Sequence, residues 1–360
     1  MKFGVMVAPK IEDWQLLQHA EDLGYDSGWV PDSHMIWSDC YGVLALAAHH
    51  TSKIRLGTGV AIAPARLAPV TAHSIATINR IAPGRVFLGI GTGHTSMRVM
   101  GMDPMKPKAF RDYLRVTRAL LHGEEVDYTL GGETRDIKFL HPDGGYVDVE
   151  HPVPVYVAAN GPLALKAAGA FGDGRVSSFN EREAGLAASM DLMREGAAGV
   201  ERELPGDFHT AVLGFACVLR PGESRTSDRV IDEIGAMVTS TLHYWYEIYQ
   251  QTGSDAIVSN RCRPVWEEYL GWVSRMETPP EKRYQQIHLG HCTFVPPVER
   301  RFITEELIDV TGGMVGEPDQ IIEMIRARER AGLTEISLLP SMAYARQNIE
   351  DFAKHVIERY

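Results

Sequence analysis

The 360-residue sequence predicts an α/β protein built as a (β/α)₈, or TIM, barrel. Eight short apolar runs lie along the chain, segments with helical spacing follow most of them, and glycines cluster directly after particular runs. The runs are continuously hydrophobic rather than alternating, as expected for parallel strands that are buried on both faces. At this length a closed barrel is favoured over an open doubly wound sheet. The predicted strands are Phe3–Ala8, Gly28–Pro31, Ile54–Ile62, Val86–Gly91, Val153–Ala158, Arg175–Phe179, Ala211–Leu219 and Glu335–Leu339.

Helical segments separate these strands. Leu16, Ala20 and Leu23 repeat at helical spacing and are followed by Gly24, a residue type that is common just after a helix. Pro162 stands where the first turn of another helix is predicted. Repeated alternation of strand and helix implies a parallel sheet.

Composition limits the classes of function. The net charge is −11 and no cluster of lysine and arginine is present, which argues against a nucleic-acid-binding surface. No apolar run approaches the roughly 20 residues of a membrane span, and the N-terminus leads directly into a predicted strand rather than a signal peptide. Cysteines 40, 217, 262 and 292 form no CxxC pair, so reduced thiols in the cytoplasm are expected. We expect one domain over residues 1–360, acting on a small molecule.

Two segments interrupt the alternation. Residues 125–140 carry apolar side chains on both sides of Gly131 and Gly132 and predict a β-hairpin. Residues 221–310, after the seventh strand, lack strand–helix alternation and predict a lid or a small subdomain.

The insertion at residues 221–310 is rich in aromatic residues. These rings either bury the insertion against the barrel or line an apolar substrate pocket above the strand ends. We expect the insertion to cover the barrel mouth and the rings from Tyr244 to Tyr249 to contact substrate. The residues assigned to the substrate pocket are Trp37, Tyr244 and Trp245.

Two glycine-containing loops follow the fourth and fifth strands, at the barrel end that carries active sites in this fold. In the second loop Pro162 can occupy the first helical turn, which leaves free amides that could bind an anion. The alternative is that the glycines serve only tight turn geometry. Two such loops on adjacent strands, with serines ending the sixth strand, favour a phosphate-bearing cofactor. The candidate residues are Gly91, Thr92, Gly93, Ala159, Asn160, Gly161, Ser177 and Ser178.

The second strand ends in a polar segment that contains Asp32, Ser33 and His34. An aspartate two residues from a histidine can hold the imidazole by a hydrogen bond and set its tautomer. The alternative is that Asp32 or Ser33 caps the next helix. We assign His34 as the catalytic acid or base and Asp32 as its partner.

A metal site is not predicted. His288, His291 and Cys292 are residues of the kind that bind zinc, but the sequence offers no matching partner pair.

Several motifs together carry a family resemblance. The segments Val30–His34, Ile54–His94, Val155–Pro162 and Val315–Gln320 resemble the luciferase-like flavin oxidoreductases, and most of all the deazaflavin-dependent branch typified by methylenetetrahydromethanopterin reductase. The order and spacing of the motifs agree over roughly residues 1–220 and 311–360. The resemblance fails over most of the insertion and is silent on substrate.

The resemblance implies a barrel that binds FMN or coenzyme F420 at the strand ends. In such proteins a non-prolyl cis peptide in the third strand backs the central flavin ring, and Gly59 and Val60 occupy that place here. The two glycine loops would hold the phosphate and ribityl chain, and Asp32 and His34 match positions that face the deazaflavin ring. Strand one ends at Ala8 without the carboxylate that some reductases of this branch carry. A homodimer formed through barrel helices is also implied.

The chemistry follows from the cofactor, while the protein orients the ring, excludes water and supplies a proton. The form of the strand-five loop favours F420 and hydride transfer to or from a small organic substrate. The alternative is an FMNH₂-dependent monooxygenase that activates oxygen. A third possibility is a flavin-binding protein without catalytic activity.

Overall fold

A computed structural model describes residues 1–178 and 183–360. Phe179, the last residue of the predicted sixth strand, lies outside them. Across the described ranges the strands are β1 (Lys2–Met6), β2 (Ser27–Val30), β3 (Arg55–Thr58), β4 (Ala61–Ile62), β5 (Val86–Gly91), β6 (Val126–Leu130), β7 (Glu133–Ile137), β8 (Val155–Ala158), β9 (Gly174–Ser178), β10 (His209–Gly214), β11 (Ala216–Val218), β12 (Met314–Gly316) and β13 (Glu335–Leu338). The α-helices are α1 (Trp14–Asp22), α2 (Cys40–His50), α3 (Ala68–Ile81), α4 (His94–Arg98), α5 (Pro107–Leu121), α6 (Pro162–Phe171), α7 (Glu183–Ala198), α8 (Asp228–Thr252), α9 (Arg263–Ser274), α10 (Arg283–Ile287), α11 (Glu305–Thr311), α12 (Pro318–Arg330) and α13 (Ala345–His355). No helix in these ranges combines the length and the apolar character needed to cross a bilayer.

The main sheet is a closed barrel, as the sequence predicts. Its order is β3-β2-β1-β13-β10-β9-β8-β5-β4, and pairing of β3 with β5 closes the ring. β1, β2 and β3 pair in parallel, as do β5, β8 and β9. The strands are buried because both faces are covered, which explains their unbroken hydrophobic runs.

Two of the eight predicted strands are divided. The predicted strand 54–62 splits into β3 and β4, and the break falls at the peptide bond between Gly59 and Val60, which is cis. The predicted strand 211–219 splits at Phe215, since β11 leaves the barrel and pairs in parallel with β12 in a separate two-stranded sheet. The apolar residues continue across both breaks, so hydrophobicity alone did not mark them.

The predicted hairpin is confirmed. β6 and β7 are antiparallel, and Leu130 pairs with Glu133 across a two-residue turn. Gly131 and Gly132 both have positive φ, 62° and 87°, which is the requirement of the tightest hairpin turns.

The described residues fall into two compact units. The first contains residues 1–177, 183–212 and 331–336, and the second contains Ser178, 213–330 and 337–360. The predicted insertion 221–310 therefore lies wholly in the second unit, where α8 to α11 make it a helical subdomain. That the chain forms one domain stays a prediction.

Aromatic side chains of the insertion form the core of the second unit. Trp245, Trp266 and Tyr269 are at most 4% exposed and pack with aliphatic residues of α8, α9 and α11. Trp245 meets Trp266 edge-on, with ring centroids 6.2 Å apart. These three rings bury the insertion's own helices on one another. The first interpretation, burial of the insertion against the barrel, stays a prediction.

Glu21 joins the end of α1 to the start of β3. Its carboxylate accepts hydrogen bonds from the amides of Ser52, Lys53 and Ile54, at 3.0, 2.6 and 2.8 Å. Burial would raise the pKa of Glu21, but these amide bonds outweigh burial and hold the pKa below its ordinary value.

We expect Glu21→Gln to lower the free energy of unfolding at pH 7 by about 1 kcal/mol, a modest value because solvent screens a partly exposed carboxylate. Since the folded pKa is lowered, the stabilisation is complete above the unfolded pKa of about 4.3 and is lost as the pH falls through the folded pKa. Urea unfolding from pH 7 to pH 3 tests this, with the exposed neighbour Asp22→Asn as control. A difference from wild type that does not shrink in acid would contradict the assignment.

Candidate active site

The ends of β2, β4, β5 and β8 meet at one edge of the barrel. An added Cβ on Gly91, the last residue of β5, would lie 3.1 Å from Val60 and 3.2 Å from Ala158. The amide of Ile62 in β4 donates to Asp32 beyond β2. The structure therefore brings the predicted loops together, as expected for the carboxyl ends of neighbouring parallel strands.

Asp32 is buried in a network that does not include His34. Among the described residues its Oδ2 accepts from the Ile62 amide at 3.1 Å and pairs with Arg66 Nη1 at 2.5 Å. The predicted hydrogen bond between Asp32 and His34 is therefore wrong, because Arg66 takes the carboxylate instead. The capping alternative is also wrong, since Asp39 caps α2 by accepting from the Gly42 amide.

Arg66 links the two carboxylates of this region. Its second terminal nitrogen lies 2.9 Å from Asp39, and its guanidinium lies over the ring of Tyr41, 4.8 Å from the centroid. Burial alone would lower the pKa of Arg66, but Asp32, Cys40 and Tyr41 together outweigh burial and hold the pKa above its ordinary value. Since Arg66 and the Ile62 amide bind its carboxylate, Asp32 is suited to fixing the loop.

His34 lies beside the helix that follows β5. Its Nε2 is 3.1 Å from Met100 Sδ, and its Nδ1 is buried without a hydrogen-bond partner in the described structure. The hydroxyls of Ser33 and Ser96 are 3.0 Å apart, and Ser96 Oγ donates to the carbonyl of Asp32 at 3.0 Å. These contacts hold the backbone just before His34, whose Nδ1 keeps a hydrogen-bonding capacity that no described residue uses.

The glycines divide into two kinds. An added Cβ would lie 2.8 Å from Trp29 at Gly59 and 2.6 Å from Ile62 at Gly93, and Gly93 also has φ of 83°. Packing and backbone geometry explain these glycines without a ligand, as they do at Gly91. Gly161 differs because nothing lies within 4 Å of an added Cβ there. Its lack of a side chain is not required by the fold.

Gly161 is the N-cap residue of α6, and Pro162 occupies the first turn, as predicted. No side chain caps this helix, so its first amides are not satisfied from within the cap. The buried guanidinium of Arg175 contacts the same loop: Nε donates to the Ala159 carbonyl at 2.7 Å, and Nη2 lies 3.4 Å from Asn160 Oδ1. Open space, helix amides and a nearby cation together suit an anion such as phosphate.

The remaining assigned residues are placed as follows. Thr92 accepts from the Met105 amide through its carbonyl, at 3.0 Å. Ser177 is buried in β9, and Ser178 is exposed at its end. Trp37 is partly exposed three residues after His34.

The two pocket residues from the insertion belong to the second unit. Tyr244 is 42% exposed, whereas Trp245 is 4% exposed inside the aromatic core. Its burial gives Trp245 a packing role, so we do not carry it forward as a pocket residue. A pocket role for Trp37 and Tyr244 stays a prediction.

Sequence reasoning missed three residues of this region. Arg66 positions Asp32, and Ser96 positions the turn before His34. Arg175 positions the loop at Ala159. The signal for Arg175 was an arginine inside an otherwise buried strand, since a buried charge requires a partner. Arg66 gave no comparable signal, because its partner is 34 residues away along the chain.

These residues fit a flavin or a deazaflavin. The uncapped first turn of α6 at Gly161 would hold the phosphate of such a cofactor, and His34 lies on the loop beyond β2, whose end meets the same edge of the barrel. The cis bond at Gly59 is where the resemblance expects it.

Comparisons with known proteins identify the family of this chain. A family model described as luciferase-like monooxygenase matches residues 12–335. The 5,10-methylenetetrahydromethanopterin reductase of Archaeoglobus fulgidus is 36% identical over 344 residues, which cover 93% of this chain and 92% of that protein. The F420-dependent glucose-6-phosphate dehydrogenase of Nocardia farcinica is 33% identical over 314 residues, or 79% of this chain and 88% of the relative.

A solved structure shares the fold. The coenzyme F420 dependent tetrahydromethanopterin reductase from Methanopyrus kandleri superposes with a TM-score of 0.68 at 21% identity, covering 100% of this chain and 99% of that chain. Because the archaeal sequence match covers 93% of the chain, it includes most of residues 221–310, and the expectation that the likeness fails over the insertion is wrong. The chain belongs to the luciferase-like monooxygenase family.

Proposed function

We propose that this protein is an F420-dependent oxidoreductase that transfers a hydride to or from a small organic substrate. The observation that carries the proposal is a His34 Nδ1 without a hydrogen-bond partner among the described residues, together with the open space at Gly161, on barrel loops that meet at one edge. The choice of cofactor is supported by the name of the Nocardia farcinica relative, an F420-dependent glucose-6-phosphate dehydrogenase that is 33% identical to this chain.

Each part of the site has a task in this reaction. A bound deazaflavin supplies the hydride chemistry. The first amides of α6, with Arg175 on the preceding loop, would bind the phosphate, and the loop beyond β2 would present His34 to the substrate. His34 gives or takes the proton that accompanies hydride transfer at a carbonyl or imine. The Arg66–Asp32 pair keeps that loop in place.

An FMNH₂-dependent monooxygenase is the second candidate, and the description of the matching family model supports it. The two are distinguished by anaerobic titration of the purified protein with F420, FMN and FMNH₂, followed by fluorescence and absorbance. We expect F420 to bind most tightly, and its absorbance to fall when a suitable alcohol is added. Tightest binding of FMNH₂, with oxygen consumed when air is admitted after the titration, would overturn the proposal. Binding without any turnover would favour a non-catalytic flavin-binding protein.

We further propose that the protein is a homodimer formed through barrel helices. Leu46 on α2, Leu67 at the N-cap of α3 and Val70 on α3 are large apolar residues that are 37%, 44% and 45% exposed, and α2 contacts α3. Exposed apolar patches of this kind mark association surfaces. We expect light scattering to give twice the chain mass for wild type and the chain mass for Leu46→Glu/Val70→Glu. Leu140→Glu, at an exposed site outside the patch, is the control, and a monomeric wild type would refute the dimer.

The location of the protein and the position of its insertion are also predictions. The scattered cysteines suggest the cytoplasm. That the insertion covers the barrel mouth, with Trp37 and Tyr244 in the substrate pocket, stays a prediction. Loss of substrate discrimination in Tyr244→Ala, at unchanged F420 affinity, would support that role.

A further inference from the structure

Three histidine side chains converge in the second unit. His243 lies on α8, His288 directly follows α10, and His291 lies in the turn after it. One ring nitrogen from each lies within 4.8 Å of those of the other two. The ring centroids are 6.0 Å apart for His243 and His288, 6.3 Å for His243 and His291, and 5.3 Å for His288 and His291. Three imidazoles at this separation are arranged as ligands around one point.

Two of the rings are fixed from behind by carboxylates. His243 Nε2 lies 2.9 Å from Glu299 Oε2, and His288 Nε2 lies 2.7 Å from Glu247 Oε1. Glu299 is 1% exposed, and His243 and His288 are 1% and 7% exposed. A carboxylate that binds one imidazole nitrogen fixes the ring and makes the other nitrogen a better metal ligand.

The nitrogens that remain are buried. Nδ1 of His243 and Nδ1 of His288 have no hydrogen-bond partner among the described residues. A buried polar atom without a partner is costly, about 1–3 kcal/mol, and native structures contain few of them. Two such atoms in one cluster indicate that something else binds there.

We propose that His243, His288 and His291 bind a zinc ion, with Glu299 and Glu247 as the supporting carboxylates. Imidazole nitrogens suit Zn²⁺, and three protein ligands leave a fourth position for water. Tetrahedral coordination with Zn–N bonds of about 2.1 Å requires nitrogens about 3.4 Å apart. Small side-chain rotations would close the present separations to that value.

The position of the site indicates a stabilising role. α10 has five residues, and the turn from 288 to 292 has little regular structure of its own. A metal would bind this segment to the 25-residue helix α8, and its binding free energy would add to the stability of the fold. The sequence argued against zinc because His288 and His291 lacked a partner, and His243 is that partner from 45 residues earlier. The inference does not depend on the proposed F420 chemistry.

The test uses the full chain without a histidine tag. The protein is stripped with a chelator, dialysed against Zn²⁺, desalted and analysed for metal. We expect about one zinc per folded chain in wild type and in the control His141→Gln, an exposed histidine outside the cluster, and less than about a tenth as much in His288→Gln and His291→Gln. Wild type that retains no zinc, or variants that retain as much as wild type, would overturn the site.

A second variant keeps the test decisive if the histidine variants do not fold. Glu299→Gln retains all three imidazoles, and we expect it to weaken zinc binding by about 10- to 100-fold in competition with a chromophoric chelator. Cobalt(II) substituted for zinc should give the intense visible bands of a tetrahedral site in wild type. Unchanged zinc affinity in Glu299→Gln, or the weak spectrum of octahedral cobalt, would contradict the proposal.

Discussion

Replacement of His34 by alanine is expected to lower turnover by about 10²-fold or more, while the dissociation constant for F420 changes by no more than a few-fold. A positioned acid or base contributes this much to a proton transfer. The structure supports the choice of residue, since no described residue binds the Nδ1 of His34, while Nε2 lies 3.1 Å from Met100 Sδ. One ring nitrogen is therefore held, and the hydrogen-bonding capacity of the other is unused by the described residues.

The measurement is steady-state hydride transfer, followed by F420 absorbance with the substrate that the titration identifies. His94→Ala, at an exposed histidine on α4, is the matched control and should retain wild-type turnover. His34→Asn places an amide near Nδ1 without an exchangeable proton of suitable pKa, so its turnover should remain low. Wild-type turnover in His34→Ala would remove His34 from the mechanism and favour the oxygen-activating alternative.

The role of Asp32 changes with its observed partners. Because Arg66 and the Ile62 amide occupy the carboxylate, removal of Asp32 should act through the loop geometry and through the unpaired arginine. A loss of stability is therefore expected along with any loss of rate, whereas His34→Ala should affect the rate alone. Thermal unfolding of both variants separates the two roles.

The barrel could be predicted because each buried parallel strand leaves an apolar run in the sequence. The breaks after Thr58 and at Phe215 could not be predicted, because apolar residues continue into β4 and β11. Only the strands with which they pair change at these breaks. β11 pairs with β12 about a hundred residues later, and no local pattern records such a partner.

The residues of the candidate sites also divide into those that the sequence predicts and those that only the fold brings together. The glycine loops and the position of His34 follow from their places at strand ends, so they could be found along the chain. The bond from Arg66 to Asp32 and the meeting of His243 with His288 depend on side chains that only the fold brings together. Adjacent residues such as Asp32 and His34 need not face each other, because successive residues of a loop point in different directions.

Gly161→Val is expected to weaken F420 binding at least about tenfold, a loss of about 1.4 kcal/mol, with little change in stability. The space in front of Gly161 is open and its φ is −88°, so the fold can accept a β-branched side chain. The same side chain would fill the space over the first amides of α6 and keep a phosphate from reaching them.

A matched variant isolates this effect from the general cost of replacing glycine. Gly206 also has nothing within 4 Å of an added Cβ and no left-handed φ, and it lies in an exposed turn away from the strand ends. Gly206→Val should therefore match Gly161→Val in thermal stability, within about 2 °C of wild type, and should bind F420 as wild type does. Titration of both variants with F420, beside their thermal unfolding, decides the question. If Gly161→Val loses stability in proportion to affinity, the glycine serves the turn and not the phosphate, and the anion site must be sought elsewhere on the barrel rim.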